Sequence, residues 1–284
     1  MRTTYRIDLE MNILITGGCG YIGYSLVKEL LAKTIDGKIF LYDNLSNKNL
    51  NFFIGDVLPN EEKLSLIISD ILDNYSLKKA LIENNIDAVI HLAAKASTPF
   101  ADHDAHSFDQ VNNWGTGCLV DAIENTPSVK KVIYLSSISV YGHSKGEQVT
   151  EQTIPGPKTF YGISKLRGEK HIQRMSKEKE AYIIRGGNVF GYNPCLRIES
   201  VLNKLVFEAH FKEKIEIHGS GLQNRAFVHV TSLAKTLANV LLGERAFPRL
   251  FNKFDCNLSI LEIVDHLMEA VSYTHLTLPT ICSV

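Results

Sequence analysis

Residues 12–31 read NILITGGCGYIGYSLVKELL, and the order of patterns within them sets the fold. Asn12 to Gly17 is a short apolar run of strand character. From Ile22 onward, Ile22, Leu26, Val27, Leu30 and Leu31 recur at the spacing that places them on one face of a helix. Between the two lies TGGCGYIG, Thr16 to Gly23, in which Gly18, Gly20 and Gly23 have the G-x-G-x-x-G spacing. Glycines there permit a tight turn, close backbone approach to an anion and close packing of helix on strand, while the helix start offers unpaired N–H donors to a pyrophosphate. A plain glycine-rich turn would carry the same letters. The flanking strand and helix turn the reading toward a dinucleotide site.

The same unit repeats along the chain. Strand patterns KIFLYD (38–43), LSLIISD (64–70), IDAVIHLAA (86–94), KKVIYLSS (130–137) and AYIIRGGNVFG (181–191) alternate with helical patterns at SLKKALIEN, at Val111 to Glu124 and from about Thr159. Strands so continuously apolar are covered on both faces, so the fold class is α/β, a Rossmann-type doubly wound parallel sheet. After Gly191 the rhythm loosens into a helix near Ser200 to Phe211, strands KIEIHG and RAFVHV, and helices near Ser232 to Leu242 and Ser259 to Val271. The expected division is a nucleotide-binding domain over 11–190 and a smaller C-terminal substrate-binding lobe over 191–271, partly interleaved with the sheet. Met11 reads as the natural start, and residues 1–10 and 272–284 read as extensions foreign to the enzyme.

Composition excludes several classes. A chain of 284 residues with 45% hydrophobic and 21% charged residues and a net charge of -1 is a core-forming protein with no polybasic arm, so nucleic acid is not an expected partner. Cys19, Cys118, Cys195, Cys256 and Cys282 form no C-x-x-C pair, which suggests neither a metal site nor a disulfide framework. No run approaches the roughly 20 apolar residues of a membrane helix, and the N-terminus has no signal-peptide core. The expectation is a soluble, cytoplasmic enzyme.

In an open α/β sheet, ligands sit beyond the carboxyl ends of the strands, so the loops after Thr16, Tyr42, Ser69, His91 and Leu135 are where chemistry belongs. Asp43, in LYDNLS, ends the second strand, where a carboxylate accepts hydrogen bonds from an adenosine ribose and repels a 2′-phosphate. That favours NAD over NADP, with Lys48 nearby as the contrary sign. A carboxylate that merely caps the turn would read alike.

The spacing Y-x-x-x-K occurs at Tyr24/Lys28, Tyr75/Lys79, Tyr141/Lys145 and Tyr161/Lys165. On a helix, residues four apart share a face, which sets an ammonium beside a phenol. The first two pairs fall within packing helices, and the third lies in a loop holding Gly142 and Gly146. Tyr161/Lys165 opens a long helix after a sheet strand that ends at Ser137 and the loop that follows it, and it is the pair in a position to do chemistry.

TGGCGYIG, DNLS, HLAA, LSSISVYG, FYGISK and RGGNVFG, in this order over about Met11 to Val271, resemble the extended short-chain dehydrogenase/reductases, the NAD-dependent epimerase/dehydratase group. The resemblance implies that Ser137 hydrogen-bonds the reacting hydroxyl, Tyr161 is the acid/base, and Lys165 binds the nicotinamide ribose and lowers the phenol. A phenol titrates near pH 10, and a unit charge about 4 Å away at an effective dielectric near 20 is worth about 4 kcal/mol, enough to bring it near neutrality. It also implies NAD contacts at Gly17, Gly20, Tyr21, Ile22, Gly23, Asp43, Asn44, Asp70, Ile71, Ala93, Ala94 and Asn112. Asn188, Asn203, Arg225 and His229 correspond to the sugar-nucleotide side, with Arg225 suited to a diphosphate. For Asn112 helix packing is an equal alternative, and for Arg225 a surface ion pair. Relatives commonly pair the helices near 103–125 and 159–178 into a homodimer. The chain departs from the family pattern at Lys158 to Phe160, where a proline is frequent, and at Thr231-Ser232, where an Asp is frequent.

Dehydratases of this family carry an acidic pair just after the serine or threonine, and this chain has Ile138-Ser139. The expected reaction is therefore epimerisation of a nucleotide sugar through a keto intermediate, like that of UDP-glucose 4-epimerases. A net nucleotide-sugar reductase or dehydrogenase, and a non-catalytic NAD sensor, are the alternatives; the intact Ser137, Tyr161 and Lys165 argue against the sensor.

Overall fold

The computed structural model describes residues 9–33, 35–47, 50–54, 58–96, 104–142, 148–270 and 277–282. Lys48 and Lys145 lie outside them, as do residues 1–8. Seven strands form the main sheet: β1 (Ile13–Thr16), β2 (Ile39–Asp43), β3 (Leu64–Ile68), β4 (Ala88–His91), β5 (Lys131–Ser137), β6 (Glu180–Gly186) and β7 (Leu250–Lys253). Their order is β7-β6-β5-β4-β1-β2-β3, every neighbour pair parallel. The chain therefore runs outward from β1 in both directions, and the carboxyl ends of β1 and β4 open at the point where the order reverses.

Strand residues alternate between two cores. Ile13, Ile15, Leu41, Ile90, Ile133 and Ile184 pack on the side of the helices Tyr21–Leu31 and Val230–Leu242. Leu14, Phe40, Val89, Val132 and Ile183 face the helices Asn74–Glu83, Gly115–Glu124 and Phe160–Met175. Each fully buried Ile or Leu contributes about 1.5–3 kcal/mol of transfer free energy, so this two-sided cover is what makes all four residues of β1 apolar or hydroxylated and inaccessible. No helix among the described residues is long and apolar enough to cross a membrane.

The lobe's helices and strands were legible, and four details differ from the sequence expectation. The run AYIIRGGNVFG is two strands, because the chain leaves the main sheet at Gly187: Asn188–Phe190 pairs with Asn224–His229, which pairs in turn with Cys256–Ser259. A Cβ on Gly187 would stand 2.9 Å from the carbonyl oxygen of Ala226, so this crossing needs glycine. β7, which carries no strand pattern of its own, lies along β6 and returns the C-terminal part of the chain to the main sheet. The helix expected from Val111 starts earlier, at Ala105–Phe108, and widens to a π-type stretch over Asp109–Trp114 before Gly115–Glu124. Thr277–Cys282 forms a strand parallel to Lys214–His218.

Where the family's Asp is replaced by Thr231-Ser232, the carboxylate at the start of helix Val230–Leu242 comes from the bend between strands Leu250–Lys253 and Cys256–Ser259. Asp255 accepts hydrogen bonds from the backbone N–H of His229 (2.8 Å), the Ser232 hydroxyl (2.8 Å) and the Lys253 ammonium (2.6 Å). Burial opposes ionisation, but these three donors outweigh it and hold the carboxyl below its ordinary value. A carboxyl lowered on folding stabilises the protein above its unfolded value near pH 4, and the contribution disappears as pH falls through the lower folded value. Asp255→Ala should therefore lower stability by about 1 kcal/mol at pH 7, a capping-size loss. In paired denaturant melts the difference should shrink on acidification and vanish in strong acid; an equal difference at every pH would contradict the role.

Candidate active site

The glycine loop is held from three sides. Gly17, at φ +69°, receives its position from the Gly17 N–H bond to Tyr42 O (2.8 Å) and from Ala93, whose backbone nitrogen would stand 2.6 Å from a Cβ there. A Cβ on Gly23 would strike the carbonyl of Gly18, so Gly23 seats the helix on the loop. Gly20 differs. Its Cβ would meet only Gly17 O, at 3.2 Å, and otherwise open space. Gly20 is also the extended N-cap of helix Tyr21–Leu31, with no side-chain cap and no acidic residue in the first turn, so the N–H groups and positive dipole end are free to face an anion. Asp43 stands beside this loop, its oxygens accepting from Cys19 N (3.0 Å) and Leu45 N (2.8 Å) and keeping further lone pairs for hydroxyl donors. These residues fit a dinucleotide with a free adenosine ribose.

At the end of β5, Ser137 caps the short helix Ile138–Tyr141, its hydroxyl accepting from Ser139 N at 3.2 Å. Helix Phe160–Met175 begins under a Thr159 cap to Gly162 N (3.1 Å), and Gly162 packs against the Ser139 carbonyl so closely that a Cβ would stand 2.6 Å from it. This brings the Tyr161 phenol to the Ser137 hydroxyl. Burial pushes the phenol above its ordinary value, against the lowering pull of Arg197 and of a hydrogen bond with Ser137. Lys165 lies over the ring of Tyr134, Nζ 4.3 Å from its centroid, and burial brings its ammonium down to about 7, with Glu169 opposing. Among the groups that act on the Tyr161 phenol, Arg197 and the Ser137 hydrogen bond lower it, while Lys165 rests on the ring of Tyr134 one helical turn further on.

Of the other Y-x-x-x-K pairs, Tyr24 is a core residue, Tyr75 is 76% exposed, and Tyr141 is held between Arg185 and Asn252. Sequence reasoning missed the layer beneath Lys165. Glu169 and Arg185 form a buried two-point ion pair, and His91 is pinned between Thr16 Oγ1 (2.6 Å) and Thr116 Oγ1 (3.0 Å), burial lowering it to about 3 so that it stays neutral. The signal was present: Tyr161, Lys165 and Glu169 recur every four residues, and the last is a charge on an inward helical face.

The remaining candidates divide. Asn44 is exposed and donates to Asp70 Oδ2 (2.8 Å), so these two lie together at the ends of β2 and β3. Ile71 is packed into the core against Gly115. Ala93 N bonds Thr16 Oγ1 (3.3 Å), and Ala94 follows it in the loop beyond β4. Asn112 is 1% exposed and engaged with the Lys95 backbone and the Ser164 hydroxyl, tying that loop to the tyrosine helix. Asn203 accepts from Gly191 N (3.0 Å) and donates to Arg197 O (3.0 Å), so its amide shapes a loop; Asn188 bonds Ala226 O (3.1 Å). Arg225 is exposed, and no ion pair engages it among the described residues, while His229 packs on Phe190 and caps the following helix. Tyr21 donates its hydroxyl to Gly191 O (2.5 Å), and Ile22 lies partly buried against the core behind it.

The model of the NAD dependent epimerase/dehydratase family matches residues 13–252. The chain belongs to that family. It is an NAD-dependent enzyme by that membership. It is 29% identical to human dTDP-D-glucose 4,6-dehydratase over 93% of this chain and 75% of that protein. It is 30% identical to Bacillus subtilis UDP-glucose 4-epimerase over 79% and 71%. A solved UDP-N-acetylglucosamine 4-epimerase from Methanobrevibacter ruminantium superimposes with a TM-score of 0.80 at 27% identity, over 97% of this chain and 85% of that one. Near-equal likeness to an epimerase and a dehydratase leaves the choice of reaction to the site itself.

The loop geometry separates two glycines. Gly20→Val should fold with a melting temperature near the parent's yet lose measurable NAD binding in calorimetric titration, because its side chain enters the cofactor's approach. Gly23→Val should fail to fold. Retained NAD affinity in Gly20→Val would remove this loop from the cofactor site.

Proposed function

We propose that the enzyme epimerises a nucleotide sugar, oxidising one ring hydroxyl to a ketone and reducing it on the other face. The observation that carries this is the pairing of Ser137, Tyr161 and Lys165 with Ile138 and Ser139 at the next two positions. Eliminating water from adjacent carbons requires an acid for the departing hydroxyl and a base for the neighbouring proton. An alkyl chain and a hydroxyl supply neither.

In this reading residues 11–190 carry the dinucleotide, with Gly17, Gly20 and the first-turn amides of Tyr21, Ile22 and Gly23 at its phosphates. Asp43 and Asn44 take the ribose, Asp70 and Ile71 the adenine, and Ala93 and Ala94 the span between. When bound, the nicotinamide supplies the hydride acceptor and donor. Ser137 holds the substrate hydroxyl, Tyr161 takes and returns its proton, and the Lys165 charge favours the phenolate. Residues 191–271 form the sugar-nucleotide side, with Arg225 exposed for the diphosphate and Asn188 and Asn203 shaping the wall. Two copies pair through helices Gly115–Glu124 and Phe160–Met175, beside which Trp114 is 66% exposed. Trp114→Glu should halve the mass seen in sedimentation; an unchanged mass would reject this face.

The deciding assay mixes purified protein with UDP-galactose, UDP-glucose or dTDP-glucose. Interconversion of the UDP-sugars without added cofactor supports epimerisation. A 4-keto-6-deoxy product from dTDP-glucose, which the human relative brings into question, would replace it with dehydration. Turnover that requires stoichiometric NAD(H) would indicate a net redox enzyme. Tyr161→Phe should keep NAD bound and lower kcat by about 10²- to 10⁴-fold, the usual share of a general acid/base. Tyr75→Phe should leave kcat unchanged. Full turnover in Tyr161→Phe would refute the mechanism.

A further inference from the structure

Tyr161, Lys165 and Glu169 stand at successive four-residue steps of one helix, on the face turned to the sheet. Glu169 is fully buried. Arg185, on β6, donates to it from Nε to Oε1 (2.9 Å) and from Nη2 to Oε2 (2.7 Å), and the Ser136 hydroxyl, on β5, donates to Oε1 (2.5 Å). Arg185 also donates to the Tyr141 hydroxyl (2.7 Å), which donates to Asn252 on β7 (2.8 Å). The carboxylate is thus fixed at every oxygen and cannot swing.

Lys165 is 2% exposed and faces groups from four elements. Its own helix contributes Tyr161 and Glu169. β5 contributes the Tyr134 ring under its Nζ, and β4 contributes neutral His91, whose ring lies 5.4 Å from that of Tyr134. β6 contributes Arg185, through Glu169. Among these groups Glu169 is the only carboxylate. A buried ammonium without a counter-charge gives up its proton. A cation–π contact with Tyr134 offsets part of the lost hydration but does not replace an opposite charge.

We infer that Glu169, clamped by Arg185 and Ser136, is a positioning residue that holds the charge of Lys165 beside Tyr161. The inference rests on the proposed roles of those two residues. The ammonium's position near neutrality, with burial lowering it and Glu169 acting against burial, agrees with this arrangement.

The test reads the charge of Lys165 directly. Protein carrying ¹³C at the lysine ε carbon is titrated by NMR, and the resonance missing from Lys165→Met is that of Lys165. Its midpoint is expected at about 7 in the parent. Glu169→Gln should lower it by about one pH unit or more, and Glu169→Asp, which keeps the charge, should restore most of that shift. Removing one partner of a buried pair can prevent folding, so Glu169→Gln combined with Arg185→Gln is measured beside it; this removes both charges together and should also lower the midpoint, because the carboxylate and not the guanidinium acts on Lys165. A purely structural pair would lower the melting temperature and leave the midpoint in place. The titration needs neither substrate nor turnover, so an unmoved midpoint in the folded variants overturns this inference alone, whereas undiminished turnover in Tyr161→Phe overturns the proposed function.

Discussion

Taking a guanidinium and a carboxylate wholly out of water costs several kcal/mol for each ion, and mutual attraction offsets that only when geometry is good and every remaining donor and acceptor is used. The Arg185–Glu169 pair meets both conditions. It joins β6 to the helix that carries Tyr161 and Lys165, and through Tyr141 and Asn252 it reaches β7. The position of the Tyr161 phenol near Ser137 depends on this joint, together with the Tyr134 hydroxyl on β5, which donates to the Lys165 carbonyl (3.3 Å), because the remaining apolar contacts of the helix with β5 and β6 have no directional preference. Removing one member would leave a buried charge unpaired, so the site's geometry and the stability of its supporting layer are bound to the same few atoms.

The same logic places polar groups throughout the sheet. Strand interiors are apolar because both faces are covered, and polar side chains within them occur where a partner is built in: Thr16 with His91, His91 with Thr116, Ser136 with Glu169. These pairs lie toward the carboxyl ends of β1, β4 and β5. They form a polar layer between the apolar core and the loops that face ligand, which lets Lys165 be buried without being walled in by hydrocarbon alone.

Local patterns made most of the fold legible. The glycine loop, the buried strands and the helix stripes each follow from a period or a spacing, and the strand-to-helix alternation implies the parallel order that β1 to β6 adopt. What the sequence hid depends on contacts distant along the chain. LFNK at 250–253 has no strand pattern, and it becomes β7 because β6 presents an open edge. The split of AYIIRGGNVFG turns on how near Ala226 comes to Gly187. In the candidate site, spacing singled out Tyr161 and Lys165 and the loop glycines, and the structure brings Tyr161 to Ser137 and sets Gly20 at the start of helix Tyr21–Leu31. Spacing could not show that Asn112 and Asn203 spend their amides on other groups of the chain, since an amide that shapes a loop and one that awaits a ligand are written with the same letter. Nor could it show that Lys165 rests on the ring of Tyr134, a contact made across 31 residues of sequence.

One seam connects the glycine loop to the segment after Gly191. Tyr21, the first residue of the dinucleotide helix, donates its hydroxyl to Gly191 O, and Asn193 returns bonds to Tyr21 O (2.9 Å) and Ser25 Oγ (2.9 Å). Asn203 spans from Gly191 N to Arg197 O within the same loop. Arg197 in turn acts on the Tyr161 phenol. The start of helix Tyr21–Leu31 and the Gly191–Asn203 segment are therefore tied by directional, largely buried bonds rather than by a flexible linker. A displacement of the glycine loop must be followed by the Gly191–Asn203 segment or must break bonds whose buried partners would go unsatisfied, at about 1–3 kcal/mol for each group. The glycine loop and the electrostatic setting of Tyr161 are thereby parts of one bonded unit, so in the proposed reaction a shift at the loop would be felt at the phenol.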